Sequence, residues 1–127
     1  MPVTALIVDD SVDFRALLRR RLEAIGCIVL AEAGESRKGL ELFRLHQPQL
    51  VTLDLMMPDL PDFSSRELFH TIRKESPETA VYLMSTQSER ANASTFLAAG
   101  AMAYIDKSFF NFEEVKKLLR AIFPELR

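Results

Sequence analysis

The stretch Ala5-Leu6-Ile7-Val8-Asp9-Asp10 decides the fold. Four consecutive apolar residues, the last two β-branched, stop abruptly at two acids. A run this short and this uniformly apolar predicts a strand covered on both faces. The pattern recurs along the chain in Cys27-Ile28-Val29-Leu30-Ala31, Leu50-Val51-Thr52-Leu53, Ala80-Val81-Tyr82-Leu83-Met84 and Ala103-Tyr104-Ile105. Between these runs, Phe14/Leu17/Leu18/Leu22/Ile25, Leu40/Phe43 and Leu68/Phe69/Ile72 fall near helical spacing, and Val115/Leu118/Leu119/Ile122 repeats it after the last run. Glu89 to Ala99 is a weaker helical segment, with small residues around Phe96 and Leu97. Gly26 and Gly100 stand where helices should stop, and Pro48 and Pro77 just before strands.

Strict alternation of apolar strands with amphipathic helices predicts right-handed crossovers onto a parallel sheet, a three-layer α/β sandwich. Five strands admit the flavodoxin-like order 2-1-3-4-5 with five helices. In that arrangement ligands bind beyond the carboxyl ends of strands 1 and 3, where the winding reverses.

The chain has 127 residues, enough for one domain, with 48% hydrophobic and 27% charged residues and a formal charge of -2. Disorder, collagen and coiled coil are excluded. A charge so near balance gives no broad basic field, so neither nucleic acid nor membrane is an expected partner. The single Cys27 has no partner for a disulfide or a metal site, and the expected compartment is the reducing cytoplasm. The start, MPVTALIVDD, lacks a basic n-region, and Phe96 to Ile105, the longest near-apolar stretch, has a glycine inside. Neither a signal peptide nor a membrane span is expected. The domain is read as 1–127, its core about 3–123, with 124–127 a tail or the start of a linker.

At the carboxyl ends of the strands stand Asp9-Asp10, Asp54, Ser85-Thr86 and Lys107. A lone acid there is an ordinary turn former or helix cap. Three together are different, because each like-charged pair at roughly 4 Å repels by about 4 kcal/mol at an effective dielectric near 20. Such a cluster raises its own pKa values or recruits a hard, oxygen-seeking cation, Mg2+ or alternatively Mn2+. A cation, the Lys107 ammonium and the Ser85 hydroxyl around a carboxylate can neutralise a phosphoryl group in transfer. Asp54, on the central strand between these groups, is the candidate nucleophile and its product an aspartyl phosphate.

These residues resemble the receiver domain of two-component response regulators, of the chemotaxis-regulator type. The resemblance covers about residues 3 to 123. It rests on Asp9-Asp10, the stretch Asp54-Leu55-Met56-Met57-Pro58, Ser85, the Gly100-Ala101 turn, and Tyr104 three residues before Lys107. It implies that Asp54 accepts a phosphoryl group from a sensor histidine kinase or a histidine phosphotransfer domain. It also implies that Asp10, Asp54 and the Met56 carbonyl bind Mg2+ directly, with Asp9 acting through water. Lys107, Ser85, the Thr86 N–H and Met56 surround the phosphoryl group, Ser85 and Tyr104 form the switch, and Met56 and Gln87 flank the site. The helix 4, strand 5 and helix 5 face is then remodelled to bind a downstream protein or output domain, as a monomer or a phosphorylation-dependent dimer.

Two positions depart from the family. Ser108 follows Lys107 where proline with a cis bond is usual; before a non-proline residue the cis form costs about 2.5–4 kcal/mol, so a trans bond and a rearranged loop are expected. Asp62 replaces a usual glycine, which predicts a local adjustment of the 59–62 loop.

Other features have plain readings. Arg19-Arg20-Arg21, with Arg15 one turn earlier, is a solvated helix face or a docking surface for an acidic partner. His46 and His70 are surface or cap residues, and Cys27 is a small buried hydrophobe. Phe109, Phe110 and Phe112 are core packing, or else partly a partner surface. Three competing functions stay open. An aspartate-nucleophile phosphatase needs a second acid two residues past Asp54, where Met56 stands. A flavin mononucleotide carrier needs a phosphate-holding loop where Asp9-Asp10 stand. A receiver-like domain that only binds would have lost its acids or its lysine.

Overall fold

The computed structural model describes residues 2–58, 62–86 and 93–127. Its elements run β1 (Val3–Val8), α1 (Val12–Ala24), β2 (Cys27–Ala33), α2 (Ser36–His46), β3 (Leu50–Asp54), α3 (Ser65–Glu75), β4 (Ala80–Ser85), α4 (Ala93–Ala98), β5 (Ala103–Asp106) and α5 (Phe112–Ile122), with a short 3-10 helix at Lys107–Phe109. The five strands form one parallel sheet in the order β2-β1-β3-β4-β5. This is the predicted flavodoxin-like architecture.

Each strand alternates its side chains between two apolar cores, as the pleat requires. Val3, Ala5, Ile7, Leu50, Tyr82 and Met84 meet Leu18 and Leu22 of α1 and Val115 and Leu119 of α5. Leu6, Val8, Val51, Leu53, Val81 and Leu83 meet Phe43 of α2, Phe69 and Ile72 of α3 and Phe96 of α4. Both faces are covered, which is why the strands tolerate near-continuous apolar runs. Asp9 and Asp54 keep the parity of Ile7 and Leu50, so they belong to the α1/α5 face.

Local chemistry sets the helix boundaries. The Ser11 hydroxyl accepts the Phe14 N–H at 3.1 Å to start α1. Ser64 and Glu67 close a capping box at the start of α3, and the Asn111 carboxamide oxygen caps α5. Gly26 and Gly100, both at φ 106°, end α1 and α4 in the left-handed region that favours glycine.

Two details differ from the sequence expectation. Each strand runs one or two residues beyond its apolar run at one end or both, because the ladder extends past the hydrophobic side chains: β3 takes in Asp54 and β4 takes in Ser85. Residues 124–127 are no loose tail. Leu126 is buried in the α1/α5 core and the Arg127 N–H donates to the Ile25 carbonyl at 2.8 Å. Of the phenylalanines after Lys107, Phe110 and Phe112 pack on that core while Phe109 is 73% exposed. Cys27 is buried as expected, its thiol pushed up to about 11 by burial. Among the described residues no helix is long and apolar enough to cross a membrane.

Candidate functional site

Parallel strands in register bring the ends of β1, β3 and β4 and the residue after β5 to one edge. Asp9, immediately after β1, has every polar group engaged. Its N–H donates to the Ala33 carbonyl at 2.9 Å, and its carbonyl accepts from Arg15 Nη1 at 2.6 Å. One carboxylate oxygen, Oδ1, accepts the Ser11 N–H at 2.9 Å, and the other, Oδ2, lies 2.8 Å from Lys107 Nζ. Asp54 closes β3, its Oδ1 accepting the Met56 N–H at 2.8 Å and its Oδ2 lying 3.1 Å from Lys107 Nζ. Both acids are 2% exposed, and Asp10 beside them is open to solvent. One carboxylate oxygen from each of Asp9, Asp10 and Asp54 lies within 4.8 Å of the others.

The electrostatics follow from this crowding. Burial raises the Asp54 carboxyl above its ordinary value; Asp9 adds to the rise, and the Met56 N–H and Lys107 partly offset it. Burial works against the Lys107 ammonium, but its hydrogen bonds to Asp9 and Asp54 and their charges outweigh that, so its pKa is raised. One ammonium against three carboxylates leaves the cluster two charges negative. The donor set, all hard oxygen with one exposed member as an entry, fits a small divalent cation. Ser85, at the end of the adjoining strand, is fully buried, and its Oγ has no hydrogen-bond partner among the described residues. A buried hydroxyl left unsatisfied costs about 1–3 kcal/mol.

The structure therefore brings together Asp9, Asp10, Asp54 and Lys107, and it ends the adjoining strand β4 at Ser85, the other strand-end side chain to which the sequence assigned chemistry. Thr86, exposed, follows Ser85, and Met56 carries its side chain outward, 43% exposed. Tyr104 is half-buried on β5, its ring 6.2 Å from that of Phe96 on the α2–α4 face of the sheet. Gln87 lies outside the described residues, as do Asp59, Leu60 and Pro61. The described peptide bonds are all trans, the one between Lys107 and Ser108 included. The loop there winds into the 3-10 helix instead, with the Asp106 carboxylate accepting the Ser108 N–H at 2.8 Å. Asp62 pairs with Arg37 at 2.8 Å.

Three contributors escaped the sequence reading. Phe14 passes for a core residue of α1, yet Lys107 Nζ sits 4.5 Å from its ring centroid, and its ring meets Phe110 edge-on at 5.0 Å. Arg15 and Arg19 pass for members of a solvated arginine run. Both are tied to Glu32 of β2, at 3.1 and 2.6 Å, and only Arg20 and Arg21 of the run are exposed. The charge alternation on α1 offered a hint of pairing but none of a partner seventeen residues away.

Comparison with known proteins bears on this geometry. The family described as Response regulator receiver domain matches residues 5–120. The chain is 34% identical over 118 residues to the probable transcriptional regulator ycf27 of Cyanophora paradoxa, covering 91% of this chain and 47% of that protein. It is 31% identical over 121 residues to the probable transcriptional regulatory protein TcrX of Mycobacterium tuberculosis, covering 95% of this chain and 50% of the relative. The chain thus spans about half the length of these curated relatives. Among solved structures, the signal receiver domain of the putative response regulator NarL from M. tuberculosis superposes with a TM-score of 0.79 at 28% identity, covering 95% of this chain and 96% of that one.

Proposed function

The chain belongs to the response regulator receiver domain family of two-component signalling, and on that premise we propose that it is a phosphorylation switch in which Asp54 is the phosphoacceptor. One observation carries the reading. Asp54 is a buried carboxylate with a lysine ammonium at 3.1 Å, two further acids close enough to share a cation, and a buried, unpartnered hydroxyl on the adjoining strand. Each part has a use in phosphoryl transfer.

In the proposed reaction an Asp54 carboxylate oxygen forms a P–O bond as the bond from phosphorus to the donor breaks, and the leaving group, the imidazole of a donor histidine, keeps the electron pair. A bound Mg2+ supplies charge neutralisation of the phosphoryl oxygens. Asp10, Asp54 and the Met56 carbonyl would hold it, with Asp9 acting through water. Lys107 is already aimed by its two aspartates and the Phe14 ring, and it leaves Asp9 and Asp54 to meet the phosphoryl group. Ser85 Oγ and the Thr86 N–H donate to that group. The Ser85 hydroxyl thereby gains the partner it lacks, and its movement, with that of Tyr104 on the neighbouring strand, is the signal.

The signal is read at the α4–β5–α5 face. There Tyr104, Ile105, Phe109, Asn111 and Leu118 line a groove of about 320 Å3. Phe109 at 73% exposure and Leu118 at 43% are apolar surface suited to a downstream protein or output domain. A histidine kinase or histidine phosphotransfer domain is the donor.

The test is the intact mass after incubation with acetyl phosphate, with and without Mg2+, beside Asp54→Asn. The expected result is a Mg2+-dependent gain of one phosphoryl group that the variant lacks. Labelling of the variant at the wild-type level removes Asp54 from the role, and labelling without metal removes the cation.

A further inference from the structure

Arg15 does something its neighbours in the arginine run do not: it reaches from the first turn of α1 back to the main chain of the acidic edge. Its Nη1 donates to the Asp9 carbonyl at 2.6 Å while its Nε donates to Glu32 Oε1 at 3.1 Å. Glu32 is held from the other side by Arg19 Nε, 2.6 Å from Oε2. Arg15 is largely covered, with 18% of its side chain exposed. Space for the guanidinium comes from Gly34, where a Cβ would stand 3.2 Å from Nη1.

The carbonyl in question belongs to the peptide linking Asp9 to Asp10. That unit is planar, so pinning its oxygen fixes the N–H and the starting direction of Asp10 as well. Asp10 is exposed and is not held by packing, yet it is one of the three acids whose oxygens converge within 4.8 Å.

We infer that Arg15, braced by Glu32 and Arg19 and given room by Gly34, is a positioning residue that orients the Asp9–Asp10 peptide so that the Asp10 carboxylate meets a divalent cation. The inference rests on the reading of the acidic cluster as a cation site. It assigns Arg15 a structural reach that its charge alone opposes. A positive side chain beside a cation site repels the cation, so removal of Arg15 would tighten binding if charge dominated and weakens it if positioning does.

Calorimetric titration of the metal-free chain with magnesium chloride separates the two. Arg15→Ala should bind Mg2+ about tenfold or more weakly, within the range seen when groups that orient metal ligands are removed. Arg15→Lys restores the charge, but one nitrogen on a shorter stem replaces the two separated guanidinium nitrogens, and it should stay within a few-fold of Arg15→Ala. Gly34→Ala changes no charge and removes no hydrogen-bonding group. It obliges Nη1 to give by a few tenths of an ångström and should weaken Mg2+ binding less than Arg15→Ala does. In the absence of metal, the Asp10 amide resonance should move in all three variants.

Wild-type or tighter affinity in a folded Arg15→Ala overturns the inference, as does full rescue by Arg15→Lys. Should Arg15→Ala fail to fold, Arg15→Lys decides, and wild-type affinity there overturns the inference. A wild-type chain that binds no Mg2+ overturns the cation-site reading itself, and that outcome is visible before any variant is made.

Discussion

At the amino end of the sheet, Thr4 and Gln49 satisfy each other: the Gln49 side-chain oxygen accepts the Thr4 N–H and the Thr4 hydroxyl accepts the Gln49 N–H, both at 3.1 Å. Nearby, the hydroxyls of Ser76 and Thr79 share a hydrogen bond at 2.7 Å, and Thr79 Oγ1 also donates to the Pro48 carbonyl at 3.4 Å. At the carboxyl end, the buried Ser85 hydroxyl has no partner among the described residues, and Asp9 and Asp54 share one lysine. The same backbone ladder runs through both ends. At one end these groups complete the fold, and at the other the Ser85 hydroxyl is left unsatisfied at a cost in stability, as groups at functional sites often are.

The largest expected effect is on chemistry. Asp54→Asn should abolish covalent phosphorylation completely while the far-ultraviolet circular dichroism stays that of the folded chain. Residual labelling at full rate would transfer the role to another acid at this edge.

Next comes a matched pair of hydroxyl deletions, one from each end. Thr79→Val should cost about 1 kcal/mol in urea unfolding, since it breaks a satisfied buried hydrogen bond, and leave phosphorylation unchanged. Ser85→Ala should cost nothing or stabilise slightly, because it removes an unsatisfied group, yet blunt the spectral response to phosphorylation. Equal losses in the two variants would erase the contrast between the ends.

The pH dependence sharpens the contrast further. The folded chain holds a proton on Asp54 more tightly than the unfolded chain does, so this residue favours folding at acid pH, and that contribution is lost as pH rises from the ordinary value of 3.8 through the raised one. Asp54→Asn should therefore be more stable than wild type at neutral pH, with the difference shrinking on acidification. Lys107 works at the other extreme. Its raised pKa contributes stability that is fully present below the ordinary 10.5 and is lost as pH rises through the folded value. Denaturation curves of wild type and Lys107→Ala should converge there.

The smallest effect belongs to Arg37→Ala. Its pair with Asp62 is exposed on both sides and its contact with the Phe63 ring is 5.1 Å from the centroid. A loss of about 0.5 kcal/mol or less is expected, with no change in labelling. A severalfold fall in phosphorylation would mean that the loop around Asp62 is coupled to the acidic edge.

Much of this site is legible in the sequence because its residues sit where strands stop. Asp9, Asp54 and Ser85 each end or directly follow an apolar run, and a parallel sheet collects such ends at one edge. The rest is not legible for a physical reason. Phe14 has the spacing of a core residue and is one, in that it packs on the α1/α5 core; its second use as the seat of the Lys107 ammonium depends on a residue 93 positions later in the chain. Arg15 and Arg19 look like solvated charges until β2 places Glu32 between them. Phe109 shares the composition of its neighbours Phe110 and Phe112 and differs only in where the 3-10 helix turns it.

Composition, alternation and capping act over a few residues, and they suffice to determine five strands, their helices, the class of sheet and the identity of the acids at its edge. Distances between residues far apart in the chain are another matter. That Lys107 bridges Asp9 and Asp54, 98 and 53 residues away, depends on strand order and register. That Ser85 is left without a partner among the described residues depends on what fails to reach it. That Leu126 returns to the core depends on a surface built by α1 and α5 together. These belong to the tertiary structure, because no local pattern encodes the packing of elements that meet only once the chain has folded.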